Sequence, residues 1–158
     1  ITHAATAVDV LVPVASEGSG ALATAIAKDG TVRKTFTAEA ESVSMPMAVL
    51  VNAETAGAAE LFACDLRDYG KAQLIGEKTA GNGTMQEAFS LQDGGAILLT
   101  TAVIQPYVSD VYNTVGLTPD VTVALPAEKQ IILPILSQSD DAQYQKAYTL
   151  LTRESADE

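Results

Sequence analysis

The sequence predicts an α/β fold, and three observations predict it. Residues 47–51 (Met-Ala-Val-Leu-Val) are a continuous apolar run, the pattern of a strand buried on both faces, and residues 72–75 read as a second short buried strand. Between them, residues 55–69 carry apolar side chains on a helical period, with Ala58, Phe62, Leu66 and Tyr69 on one stripe and Glu60, Arg67 and Asp68 away from it. Further on, residues 86–91 and 96–104 read as two strands joined through Asp93-Gly94-Gly95. Buried strands separated by a helix, with more strands beyond, make an α/β arrangement.

The remaining elements follow in chain order. Residues 4–12 are apolar on a helical period and stop at Pro13, which predicts a short helix. Residues 21–27 and 32–37 flank Lys28-Asp29-Gly30-Thr31, a hairpin signal in which glycine accepts the positive φ of a type I′ turn. Residues 38–44 are polar and acidic and predict a surface loop. Gly70 is placed to stop the helix that begins near Thr55. Pro119, within Gly116-Leu117-Thr118-Pro119-Asp120-Val121, fixes φ in a turn ahead of a last strand over 121–125. Ser139 or Asp140 is expected to cap a final helix, along which Tyr144, Ala147, Tyr148 and Leu151 recur on one face. There are no internal repeats and no low-complexity linker.

Composition excludes several functions. At 158 residues, 47% hydrophobic and 18% charged, the chain can bury a real core. Its net charge of −11, with 9 scattered Lys and Arg, argues against nucleic acid and against an anionic membrane surface. No apolar run approaches the length of a membrane span. Cys64 is the single cysteine, so neither an internal disulfide nor a multi-cysteine zinc site is available. Mid-helix among apolar neighbours, it reads as a buried thiol. His3 is the single histidine and no nucleophile-elbow motif accompanies it, so a Ser-His-Asp triad is not supported. No metal and no cofactor is expected.

The stretch from Pro46 to Gln86 carries a more specific signal. After the strand come Asn52-Ala53-Glu54-Thr55-Ala56-Gly57-Ala58-Ala59-Glu60, a helical run ending Asp68-Tyr69-Gly70, and then Gly76-Glu77-Lys78-Thr79-Ala80-Gly81-Asn82-Gly83-Thr84-Met85-Gln86. This resembles the carboxyl-terminal processing (tail-specific) serine peptidases. Their segment runs V-L-V-N, then S-A-S-A-S-E, a helix ending D-Y-G, and G-E-x-T-x-G-K-G-T-V-Q. The run Gly116 to Val121 matches a second family signature, and the likeness is weak before Met45. The resemblance implies a crotonase-like core and a single peptidase-like catalytic domain, or its C-terminal part, over residues 1–158. A glycine-rich turn and a PDZ-type domain are expected upstream of Ile1, as parts of a longer protein. It also implies a polypeptide substrate or peptide ligand, engaged through its C-terminal segment, and an extracytoplasmic location in the cell envelope or secreted.

In that family the nucleophile is the middle serine of S-A-S-A-S-E and the general base is the lysine of G-K-G. Residue by residue, the serine position is Gly57 and the lysine position is Asn82. A serine hydroxyl attacks only when a base removes its proton, and a lysine accepts one only when neutral. Gly57 has no side chain to attack with, and a carboxamide is no base near neutral pH. The resemblance makes the Ala58 amide an oxyanion-hole donor and Gln86 the residue that orients the base. That amide, at a helix start, also suits a terminal carboxylate. Lys78 reads as a solvated loop charge, Thr55 as a helix cap, Thr84 as a non-nucleophilic hydroxyl, and Glu60 as a first-turn acid favoured by the helix dipole. Three readings compete. The first is a proteolytically silent homologue that binds or regulates. The second is an active peptidase with a non-standard nucleophile, and the third is a purely structural or interaction module.

Overall fold

The structure, a computed structural model, describes residues 20–38 and 45–154. The helix expected over 4–12, His3 and all but the first residue of the loop expected over 38–44 lie outside them. Within them the α/β expectation holds. In order the elements are β1 (Gly20–Ile26), β2 (Val32–Ala38), β3 (Met47–Val51), α1 (Ala58–Asp68), β4 (Ala72–Gly76), β5 (Thr84–Ser90), β6 (Ala96–Pro106) and β7 (Val121–Thr122). They are followed by α2 (Ala127–Ile131), a 3-10 turn (Leu133–Ile135) and α3 (Ala142–Glu154).

Two sheets form. One is antiparallel, in the order β2-β1-β6-β5, and the other is parallel, in the order β3-β4-β7. The parallel pair β3–β4 runs in register from Met47 opposite Ala72 to Val51 opposite Gly76, with α1 as the crossover between them. Side chains from both sheets and from α1 share one core, among them Leu22, Phe36, Val51, Leu61, Leu74 and Ile104.

That arrangement corrects the helix stripe. Because α1 contributes to a core drawn from both sheets, it is buried on more than one side, and Leu61, Ala63, Cys64 and Leu66 are all sealed. Glu60, expected to face solvent, is completely buried, and so is Asp65. The helix ends as Gly70 predicted: Gly70 N–H donates to Arg67 O (2.9 Å) and Lys71 N–H to Leu66 O (2.8 Å), the paired bonds of a Schellman motif.

Both hairpins form, with a different turn from the one expected. Gly30 N–H donates to Ala27 O (2.9 Å) and Ala27 N–H to Thr31 O (2.8 Å), while Asp29 Oδ1 accepts Thr31 N–H (2.9 Å). The β5–β6 turn repeats the scheme with Gly94, Leu91, Gly95 and Asp93. Only the glycine has positive φ in each, +85° at Gly30 and +86° at Gly94. These are type I turns closed by a left-handed glycine rather than type I′ turns, which need positive φ at both central residues.

Three further expectations shift. β3 is not sealed on both faces: Val51 enters the core, but Leu50 alternates to the other side and is 39% exposed. The last strand is two residues long, extended by one bond from Val123 N–H to Gly76 O (2.8 Å), because Pro126 soon opens α2. The final helix is capped by Asp141, whose Oδ1 accepts the amides of Gln143 (2.8 Å) and Tyr144 (3.0 Å). Ser139 and Asp140 are instead engaged with Ser137 in a preceding turn. On that helix Ala147 is buried as expected, Tyr148 is exposed, and Gln143 takes an inward position, donating to Val123 O (2.9 Å).

Candidate active site

At the end of β3, Asn52 folds the chain into a tight turn. Its Oδ1 accepts Glu54 N–H (3.0 Å), Thr55 N–H (3.1 Å) and the Thr55 hydroxyl (3.2 Å), and Asn52 N–H donates to Thr55 Oγ1 (3.0 Å). The Thr55 hydroxyl is therefore committed to this turn and does not cap α1, because the N-cap position is Gly57. Gly57 has φ +63° and ψ −122°, a conformation that costs any L residue energy. A Cβ placed there would meet nothing within 4 Å. Backbone geometry, not space, is what favours glycine.

Glu60 supplies what a side chain at Gly57 cannot. Its Oε2 accepts Gly57 N–H (3.1 Å), the carboxylate half of a capping box. The same oxygen accepts Asn82 N–H (2.7 Å), while Oε1 accepts Gly81 N–H (2.7 Å) and the Thr79 hydroxyl. Four donors meet one buried carboxylate, and the main chains of Gly57 and Asn82 meet at a single oxygen atom. Sequence reading assigned Glu60 only a dipole role. Its place three residues after the N-cap does signal the bond to Gly57, but nothing local signals the three donors from residues 79–82.

The loop that carries Asn82 is held from its other side as well. Thr79 Oγ1 accepts Leu117 N–H (2.7 Å), Gly81 O accepts Thr114 N–H (2.7 Å), and Asn113 Oδ1 accepts Gly83 N–H (3.1 Å). Gly83 O accepts Ile104 N–H from β6 (2.8 Å), and Ala80 N–H donates to Thr55 O (3.0 Å). Asn82 is exposed, and its Oδ1 accepts the Thr84 hydroxyl (2.9 Å), which leaves its Nδ2 hydrogens as its outward donors.

Ala58 N–H, the first amide of α1, has no acceptor among the described residues. Gln86 stands exposed on β5 opposite Thr100, beside an irregularity in the register after Met85. Its side chain makes no hydrogen bond among the described residues. Lys78 is exposed. Cys64 is sealed in the core, where burial, reinforced by Asp68, pushes its thiol up to about 12.

One buried group had no sequence signal at all. Asp65 is 1% exposed, and neither carboxyl oxygen has a hydrogen-bond partner. Burial, with the Asp68 carboxylate adding to it, raises it from 3.8 to about 7. The Tyr112 hydroxyl is likewise buried without a partner, and burial pushes it above the usual phenol range. Asp68, by contrast, is fully engaged, accepting Ser109 N–H (2.9 Å) and the Ser109 hydroxyl and so fastening the end of α1 to the chain after β6.

The site is thus a parallel β3-α1-β4 unit with a glycine elbow at the helix start, clamped to a glycine-flanked loop. Residues 5–123 match the family described as Peptidase family S41, and the chain belongs to that family. Among curated relatives, the carboxyl-terminal-processing protease of Picosynechococcus sp. is 39% identical over 111 residues, 70% of this chain and 26% of that protein. The carboxyl-terminal-processing protease of Synechocystis sp. is 39% identical over 127 residues, 79% of this chain and 29% of that protein. The chain thus spans between a quarter and a third of the length of these two relatives. Among solved structures, a photosystem II D1 C-terminal processing protease superposes with a TM-score of 0.69 at 28% identity, covering 89% of this chain and 37% of that one.

Proposed function

We propose that this chain is a portion of the catalytic domain of a carboxyl-terminal processing peptidase in which the nucleophile position, Gly57, and the base position, Asn82, have been vacated. It is proteolytically silent and keeps an extended-peptide site. The observation that carries the reading is the shared Glu60 oxygen: the two positions that the motif register pairs are neighbours in space.

Among the described residues no nearby hydroxyl or thiol is free to replace the lost pair. The hydroxyls of Thr55, Thr79 and Thr84 are each engaged with Asn52, Glu60 and Asn82, respectively. The Cys64 thiol is buried and held neutral. What remains is binding chemistry: the free Ala58 amide at the start of α1 suits a peptide carbonyl oxygen. The ligand is a polypeptide's C-terminal segment, by likeness to the relatives' named activity, and the location is extracytoplasmic. Some relatives are named as chloroplastic, and among the described residues no helix is long and apolar enough to cross a membrane.

Titrating the full gene product with an extended peptide that carries a free C-terminal carboxylate tests this. Saturable shifts of the Ala58 and Asn82 amide resonances, with the peptide intact afterwards by mass, are expected. A peptide that leaves both resonances unmoved contradicts the binding role.

A further inference from the structure

We propose that Glu60 is the positioning residue of this site: its buried carboxylate holds the main chains of Gly57 and Asn82 in fixed relation, whatever side chains those two residues carry. The proposal rests on the reading of positions 57 and 82 given above, and it gives the residue whose oxygen joins them a role of its own.

Of the four donors on Glu60, three are main-chain amides, those of Gly57, Gly81 and Asn82, and the fourth is the Thr79 hydroxyl. No side-chain atom of residue 57 or 82 takes part. Exchanging either side chain therefore removes none of the clamp's own atoms, and at Gly57 the cost of an added side chain lies in the φ +63° backbone and not in a contact. Glu60 is also completely buried, so water does not compete for its oxygens and the bonds are at full strength.

Its location gives the clamp a function beyond stability. Glu60 sits in the first turn of α1, so the carboxylate that grips Asn82 belongs to the same rigid helix start that presents the Ala58 amide. Thr79 continues the chain of bonds to Leu117, which ties the clamp into the wall formed by residues 112–117. An error of about 1 Å in such a frame is enough to remove roughly 100-fold in rate from a reaction that depends on it. A family whose two reacting groups stand on separate segments needs a device of this kind. The device outlasts the groups themselves because it never touches them.

Two measurements test the proposal. The first is the through-bond NMR coupling from the Gly57 and Asn82 amide nitrogens to the Glu60 side-chain carboxyl carbon. It requires no change at Glu60 and is made on the protein as it stands and on the double variant Gly57→Ser/Asn82→Lys. Couplings from both amides in both proteins are expected, and loss of either in the double variant overturns the side-chain independence claimed here. The second places Glu60→Gln in that double variant of the full gene product. A glutamine offers one acceptor oxygen and one NH₂ group, so two of the donors face no acceptor. A fall in kcat of about 100-fold with KM held within about threefold is expected. Unchanged kcat, or an effect confined to KM, overturns the positioning role. Should the double variant itself be inactive, that counts against the proposed function, and the couplings alone decide for or against Glu60.

Discussion

Asp65 offers a sharp test of the packing around α1. Its carboxyl is 1% exposed and has no partner on either oxygen, so ionising it in the folded state is opposed by burial and by Asp68 on the next turn. The group titrates near 3.8 when free and at about 7 when folded. A folded-state value above the unfolded one means the native protein holds the proton to higher pH. The contribution to stability is therefore greatest below pH 4 and is lost as pH rises towards 7. By pH 8 the full penalty, on the order of 4 kcal/mol, is in force. The isosteric change Asp65→Asn removes this titration and leaves the shape alone. Cys64, pushed up to about 12, and Tyr112, raised above its ordinary value, stay neutral throughout and add nothing to the difference. Urea denaturation of both proteins at pH 5, 6, 7 and 8 reads the result. The variant is expected to gain about 2–3 kcal/mol on the parent between pH 5 and pH 8. Two stability profiles that run parallel across this range would refute the reasoning.

Three further outcomes follow from the same geometry. Gly57→Ala introduces no clash yet forces an L residue to φ +63°, so stability falls by about 1–2 kcal/mol in denaturant titrations; an unchanged midpoint would mean that the elbow is not held there. Thr79→Val removes the hydroxyl that joins Glu60 to Leu117 and leaves the Leu117 amide buried without an acceptor, at about 1–3 kcal/mol; a loss under about 0.5 kcal/mol would show that the chain of bonds is not cooperative. The Cys64 thiol, buried and neutral, reacts with iodoacetamide at pH 8 only as fast as the protein opens; rapid alkylation of the native protein would place it at the surface.

What was legible in the sequence was local. Strand β4, both hairpins and the stop at Gly70 follow from short-range patterns: apolar runs, an Asp-Gly pair, a glycine after a helix. The errors lie where a distant segment decides the outcome. Glu60 looked like a solvent-facing first-turn acid because its donors at 79, 81 and 82 are brought to it only by the β4 crossover. The stripe on α1 was drawn for a helix with one covered face, whereas two sheets share its core. Thr55 and Ser139 have the chemistry of caps, but each is used in a turn of its own, and the cap passes to Gly57 in one case and Asp141 in the other. Asp65 has no local signature, since a buried carboxyl and an exposed one are the same letter.

The candidate site divides along the same line. Gly57 and Asn82 were found by motif register, which is sequence information, and the structure then sets them either side of one carboxylate oxygen. Gln86 shares the motif but is exposed on β5 with its side chain unengaged among the described residues. The free Ala58 amide is a consequence of where α1 begins, which residue identity alone does not fix to within a residue or two.

The account depends on an intact frame that lacks its alcohol and its amine. The most direct test is the release of C-terminal peptide from a polypeptide substrate, followed by mass spectrometry, by the full gene product as it stands and by its Gly57→Ser/Asn82→Lys form. No release above the blank by the first, and measurable release by the second, is the expected result. Cleavage by the unaltered protein that survives purification to homogeneity would contradict it.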